Sequence, residues 1–497
     1  MALADLVNDP FSAKRYLAEI GAYNIAGTAT TTVRVSDHGL VTGSGDSPAK
    51  TLYEARIVEP ISFERSMFSA GKIGGLSTTN FGTLVLGNID GGLDAMAGYA
   101  FDGRAVIIKI GSDTDAYSDF TTIFTGTADS IEFDDALIAV RLKDKQLLFE
   151  TPVQGTLYAG SGGTEGGDDL KGKPKPLTFG KVNNITPVRV DVANAIYQVH
   201  DGQIEAINAV YDNGVLVDAA DYTNDLTNGR FTLDSVSTGT ITADVQGAKP
   251  SGSYKSTADQ IIRLLVTTYG GLADPGDLDT ASFTALNTAN SNVVGIYVSS
   301  ATTMQAVLDA IANSVGAFYG FKRDGDFQVG RVEAPAVSAD AAFTAIEIIE
   351  LQRLATAIPP YRTVVDHTLN FTVQTSSTIS TSTTAARRTF IENKYRNETN
   401  TAAGVQTIHP EAPTLAVTTL LTTAANAATE AARLQTLFGA DRDFYKVKLK
   451  TQPFTLELND TVEITFARYN LTSGKKFRVI SLIEDAANNE IDLELWG

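Results

Sequence analysis

Alternation with a period of two is clearest toward the C-terminal end of the chain. Tyr445, Val447 and Leu449 alternate with Lys446, Lys448 and Lys450, which predicts a strand with one buried and one wet face. The pattern returns in Val462, Ile464 and Phe466 after the Asn459-Asp460 turn, and in Phe477, Val479, Ser481 and Ile483 after Gly474. It returns again in Ile491, Leu493 and Leu495 after Asn488-Asn489. A few strands with one apolar face do not bury themselves, so a second layer has to come from upstream.

Upstream, β-branched and aromatic runs separated by turn signals predict strands at 15–20, 31–35, 53–57, 61–65, 82–86, 105–110, 122–127, 130–133 and 137–142. These are enough to close a barrel of about eight strands. Runs at 204–211, 215–217, 230–233 and 241–245 predict a small β insertion.

From Ser256 the period becomes helical. Thr257 with Gln260 reads as a capping box, Ile261, Leu264, Leu265 and Tyr269 share a face, and Gly270-Gly271 stops the helix. Thr302 with Gln305 repeats the device ahead of the stripe Met304, Val307, Leu308, Ile311 and Val315. Gly316 stops that helix, and a hairpin follows around Asp324-Gly325. Residues 334–342 read as a linker, 361–373 as a strand and the Ser/Thr tract 374–384 as a surface loop. A helix over 422–438 turns Ala424, Ala427, Ala428, Ala431 and Leu434 inward; that small-residue face permits close packing on a sheet or a neighbouring subunit, and it and the conspicuous loops are the candidate assembly surfaces.

The fold class expected is mainly β with an α+β insertion, in several domains, since 497 residues exceed what one core supports. The net charge of -19 argues against binding nucleic-acid backbones or anionic membranes. Cysteine is absent, which removes disulfides, thiolate zinc sites, cysteine nucleophiles and iron–sulfur clusters. Residues 1–11 carry Asp5 and Asp9 and lack an apolar core, so no signal peptide is expected, and no apolar run is long enough for a membrane helix. A chain made in the cytoplasm and remaining soluble is the expectation.

Candidate chemistry is thin. Gly43-Ser-Gly-Asp-Ser-Pro48 approaches a dinucleotide fingerprint but has Pro48 in place of the third glycine, so it reads as a loop. Asn88-Ile-Asp90-Gly-Gly-Leu-Asp94 has carboxylates spaced for calcium, but Tyr99 stands where a bidentate glutamate is required, and an Asp-capped turn is the better reading. Gly167 to Lys173 matches most of a phosphate-binding loop, but Pro174 replaces the metal-binding hydroxyl. His38, His200, His367 and His409 are too scattered for zinc, and no Gly-x-Ser-x-Gly elbow is present. Paired carboxylates for glycoside hydrolysis stay open among the 58 acidic residues. No catalytic, cofactor-binding or metal-binding residue, and no cofactor, is assigned.

Three phrases in collinear order carry a resemblance. They are 81–94 with Phe101-Asp-Gly-Arg104 and Phe124-Thr-Gly-Thr127, then 170–180 with 197–202, 210–215 and the helix–hairpin unit 308–330, then the terminal meander ending Ile491-Asp-Leu-Glu-Leu-Trp-Gly497. Together they resemble the hub (baseplate hub or tail-tip) proteins of long-tailed, siphophage-like bacteriophages. The resemblance implies a virion structural protein without enzymatic activity. It implies a tube-like β-barrel or sandwich domain at 1–150, a β insertion with a Gly/Lys/Pro-rich loop at 151–250, an α+β hub domain at 251–345 and a second tube-like domain with one helix at 346–497. It further implies a homotrimer that caps the tail tube, with a distal tail protein ring above, a central tip or fibre protein below, and DNA passing through the lumen unbound. An acidic lumen would suit that passage. Assembly in the host cytoplasm and no membrane insertion by this chain follow from the same resemblance. The alternatives are a hexameric distal tail ring protein, whose family is generally shorter, and a cell-wall or surface-polysaccharide hydrolase.

Overall fold

The computed structural model describes residues 3–8, 13–68, 80–450 and 454–497. The four C-terminal alternations are strands Phe444–Lys450, Thr461–Ile464, Lys475–Asp485 and Glu490–Trp496. Asn459, Gly474 and Asn489 take positive φ at the turns between them, where glycine and asparagine are least strained. Tyr445, Val447 and Leu449 face the same core as Ile491, Leu493 and Leu495, and Phe477, Val479 and Trp496 complete it. The cross-strand register Tyr445↔Leu495, Val447↔Leu493 and Leu449↔Ile491 keeps the apolar positions on one side, as a period of two requires.

This meander continues into the N-terminal strands. Lys475–Asp485 pairs antiparallel with Ile57–Ser66 in the register Ser481↔Ser66, Leu482↔Arg65, Ile483↔Glu64 and Glu484↔Phe63. One sheet of 16 strands results, running from Ile348–Leu354 through the C-terminal strands to Ile57–Ser66, Phe81–Gly87, Leu137–Lys143, Thr121–Phe133, Ala105–Ser112 and Lys14–Asn24. It ends at Ala29–Ser36, Leu52–Ala55 and Leu40–Val41. The architecture is mainly β and multidomain. The N-terminal strands do not close into the barrel expected of them, because the edge of Ile57–Ser66 that would close it is taken by Lys475–Asp485. The N-terminal core lies under Ala18, Ile20, Val106, Ile108, Val140 and Leu142.

The middle of the chain holds a five-stranded sheet, in which Leu177–Ile185 and Ile204–Asp212 flank Ile241–Ala248. A four-stranded sheet packs on it, with Tyr197 stacked on Phe231 at 5.2 Å. Helices Ala258–Leu264, Thr280–Ala289 and Met304–Ser314 and the hairpin Ala317–Phe321/Phe327–Arg331 form a third core around Phe327.

Both caps differ from the expectation by one residue. Thr257 makes no side-chain cap, and Gln260 Oε1 accepts from the Ser256 amide at 3.1 Å; in the second helix Thr303, not Thr302, accepts from the Ala306 amide at 3.3 Å. The strand expected over 361–373 is only Arg362–His367, since Thr368 turns to φ 47 and its amide bonds Leu421 O. The Ser/Thr tract ends at Thr384, which caps an unexpected helix Ala385–Glu392. The polar strand Arg396–Thr401 and the strand Thr414–Thr418, whose Leu415 and Val417 pack on the central core, flank Arg362–His367.

The helix Ala424–Phe438 turns Ala427, Ala431 and Leu434 into the central core, while Ala424 and Ala428 are exposed. Glu430 takes an inward position because Arg331 and Arg433 pair with it, Arg331 Nη2 lying 2.6 Å from Oε2. The small-residue face, expected to pack on a sheet or on a neighbouring subunit, is therefore largely used within the chain.

Candidate assembly face and its ionic junction

The face of the sheet turned away from the cores is a ladder of opposite charges. Lys446, Lys448 and Lys450 stand directly across from Glu494, Asp492 and Glu490, and on the other side Lys448 faces Glu350. Lys448 Nζ reaches Glu490 Oε2 at 2.7 Å, and this hydrogen bond holds its pKa above the ordinary lysine value. Farther along, Arg141 pairs with Glu132 at 3.3 Å and Lys143 with Asp129 at 2.6 Å. Where the lobes join, an open hollow of about 510 Å³ lies among Glu64, Phe81, Asp129, Arg141 and Ile483. One end of the sheet presents Val58, Ile89, Phe133 and Leu137 to solvent, held together by the Gly87↔Leu137 and Ile138↔Phe133 pairings.

Behind that face the lobes are tied by charges in the interior. Arg65, on Ile57–Ser66, is 2% exposed and pairs with Glu457 and, at 3.5 Å, with Glu484. Arg323, in the turn of the central hairpin, pairs with the same two carboxylates at 3.0 and 2.6 Å and donates to Leu456 O at 2.7 Å. Glu484 also accepts from the Phe454 amide at 2.9 Å. Burial works against the Arg65 charge, but Glu457 and Glu484 outweigh it and raise its pKa; burial likewise works against the Glu457 charge, and Arg65 and Arg323 bring its pKa below normal. Beside them lies Asp144, 3% exposed, accepting from the amide and side chain of Asn80 and the amide of Gln146; burial pushes it up to about 7 despite these donors. The void between Arg65, Asp144, Arg323 and Glu484 is about 10 Å³, at the lower limit for a single water. Gly325 fits here at φ +90 because a Cβ would lie 2.8 Å from that of Thr125.

The near-miss motifs are turns. Gly43 donates to Asp46 at 2.6 Å; Asn88 binds Asp94 and the Leu93 amide; Asp90 is held by Arg56, whose hydrogen bond lowers it to about 2. In the glycine-rich loop Glu165 is engaged by Lys175 at 2.7 Å. His200 is buried, its Nδ1 accepting from the Thr178 amide at 2.9 Å, and burial lowers its pKa to about 4; His409 meets Asp441 at 2.7 Å. No cluster of metal-ligating side chains occurs among the described residues, and no helix there is long and apolar enough to cross a membrane.

No family model and no curated protein matches the chain. Among solved structures it is similar to the 43 kDa tail protein of prophage MuSo2 from Shewanella oneidensis, at 11% identity and a TM-score of 0.41 over 90% of this chain and 95% of that one. It is similar also to a tail protein from Neisseria meningitidis MC58, at 8% identity and a TM-score of 0.45 over 98% and 97%. A chain of a native gene transfer agent virion aligns at 14% identity and a TM-score of 0.42 over 66% and 84%. These neighbours are tail or virion components.

Proposed function

We propose that the chain is a structural hub of a phage-like tail tip, closing the tail tube and joining it to a central tip or fibre, and that it assembles as a trimer in the virion. The observation that carries this reading is the sheet itself. The first and last parts of the chain, divided at about 150 and 346, supply two lobes hydrogen-bonded into one surface through Ser481↔Ser66 to Asp485↔Ser62. That surface has a charged, solvated face and ends in Ile348–Leu354 on one side and the short Leu40–Val41 pairing on the other. Two lobes per chain with strand edges outward suit a ring in which each copy contributes two positions.

On the ladder the lysines of Phe444–Lys450 are matched by the acids of Glu490–Trp496. If that face lines a passage for DNA, a carboxylate opposite each lysine in the register offsets its attraction for phosphate. This replaces a purely acidic lining with a neutralised one. One of the two neighbours, the distal tail ring above or the tip protein below, would meet the end of the sheet where Val58, Ile89, Phe133 and Leu137 are exposed.

Light scattering of the purified chain over a wide concentration range tests the assembly. A trimer supports the hub, a hexamer moves the assignment to a distal tail ring, and a monomer at every concentration removes self-assembly. Clearing of a peptidoglycan or capsule gel by the purified chain would instead establish the hydrolase reading.

A further inference from the structure

At the end of the Ile348–Leu354 strand the sheet borders an apolar cleft of about 460 Å³, lined by Leu354, Ile358, Phe438, Phe444 and Trp496 with Arg442 on its wall. That volume is within the range of pockets that enclose a ligand group. Trp496 forms the floor, 2% exposed, with Phe438 at 5.9 Å; Ile358 on the rim is 42% exposed.

Arg442 is the unusual member. Its guanidinium lies 5.1 Å from the Trp496 ring centroid, and its Nε donates to Leu437 O at 3.4 Å. Among the described residues no carboxylate pairs with it. Both neighbouring aspartates are engaged elsewhere, Asp441 by His409 at 2.7 Å and Asp443 by Lys475 at 2.7 Å and by Arg353. Burial alone acts on Arg442 and lowers its pKa, with no anion to offset the cost. In a chain with 58 acidic and 39 basic side chains, a half-buried guanidinium that meets only a ring and one carbonyl on the wall of an apolar cleft stands out. A guanidinium in such a place prefers a two-oxygen carboxylate partner.

We infer that this cleft is a docking site for an extended peptide segment of a partner protein, one that inserts an apolar side chain over Trp496 and sets a neighbouring carboxylate on Arg442. The free edge of Ile348–Leu354 ends at the cleft and offers main-chain groups to such a segment. The site does not depend on the oligomeric state proposed above.

Trp496 is the single tryptophan of the chain, so its emission reports the cleft directly. The full chain is titrated with a short capped peptide carrying one leucine flanked by glutamates, and with the same peptide carrying glutamines. The expected result is a saturable change in Trp496 emission with the glutamate peptide and binding weaker by at least roughly tenfold with the glutamine peptide. Arg442→Gln produces the same loss for the glutamate peptide, Arg442→Lys an intermediate one, and Ile358→Asp, on the exposed rim, abolishes binding. No spectral change, equal binding of both peptides, or unaltered binding by Arg442→Gln overturns the inference. Emission that changes with protein concentration before any peptide is added also overturns it, because a second copy of the chain then fills the cleft. The peptide exchange requires no variant, so a failure of Arg442→Gln to fold leaves the test intact.

Discussion

The junction and the ladder both set basic side chains against carboxylates, in opposite surroundings. At the junction Arg65, Arg323, Glu457 and Glu484 join segments hundreds of residues apart, and Arg65 and Glu484 are each 2% exposed. On the ladder Lys448 and Glu490 meet at 2.7 Å with the lysine side chain 37% exposed. Distance barely separates the two; hydration does. Arg65 and Glu484 have no water to return to, so each depends on its partners, whereas Lys448 on the ladder exchanges a partner for solvent at little cost. One region fixes how the lobes sit and the other dresses a surface.

The largest expected effect follows from breaking the junction at one point. Glu484→Gln leaves two guanidinium groups with one carboxylate and weakens the acceptor of the Phe454 amide. Denaturant unfolding is expected to show a loss of about 5 kcal/mol. A loss below about 1 kcal/mol would put the junction on the same footing as the surface.

Asp144 gives a pH signature. Its folded pKa is raised to about 7, so the folded chain holds a proton there after the unfolded chain has released it. Stability from this group is therefore full at low pH and falls as pH climbs from about 4 through about 7, by on the order of 4 kcal/mol. Glu457, whose pKa is lowered by Arg65 and Arg323, contributes the opposite slope at lower pH. The difference in unfolding free energy between the parent and Asp144→Asn, followed from pH 5 to about pH 8, isolates the Asp144 slope; a flat difference would show that Asp144 is ionised throughout.

A replacement that removes charge in matched amounts sharpens the contrast. Arg323→Met with Glu484→Met leaves Arg65 paired with Glu457 and no cation in excess. It should recover about 2 kcal/mol relative to Glu484→Met alone, because apolar substitutes avoid the desolvation cost of the pair. Additivity of the two single changes would mean that they do not share partners.

What the sequence made legible follows the same division. The four C-terminal strands were readable because Val447, Leu493 and their neighbours alternate within a few residues of one another, and the hairpin around Asp324-Gly325 because its turn chemistry is local. The pairing of Ile57–Ser66 with Lys475–Asp485 was not readable, since no local signal says which edge a strand will use, and an expected barrel opened into a longer sheet. The junction was equally hidden: Arg65 and Glu484 are 419 positions apart, and each alone resembles a surface charge. Polar strands such as Arg396–Thr401 escaped because neither face is apolar enough to set a period. Arg442 could have been noticed only by finding that its flanking aspartates are occupied, which is a property of the fold.

The smallest effect is expected on the ladder, and it is the one that would most damage the contrast if it were large. Lys448→Ala removes the 2.7 Å contact with Glu490 and a charge opposite Asp492 and Glu350. Lys446 and Lys450 remain on the same strand, within reach of Glu494 and Glu490, so the carboxylates keep cations nearby. Cross-strand pairs of this kind contribute a few tenths of a kcal/mol, and exposed ion pairs are screened by salt. The unfolding free energy should move by less than about 0.5 kcal/mol at physiological ionic strength, and the small difference should shrink further in high salt. A loss of several kcal/mol that persists in salt would mean that the ladder is covered in solution, and that this face is an interface between chains.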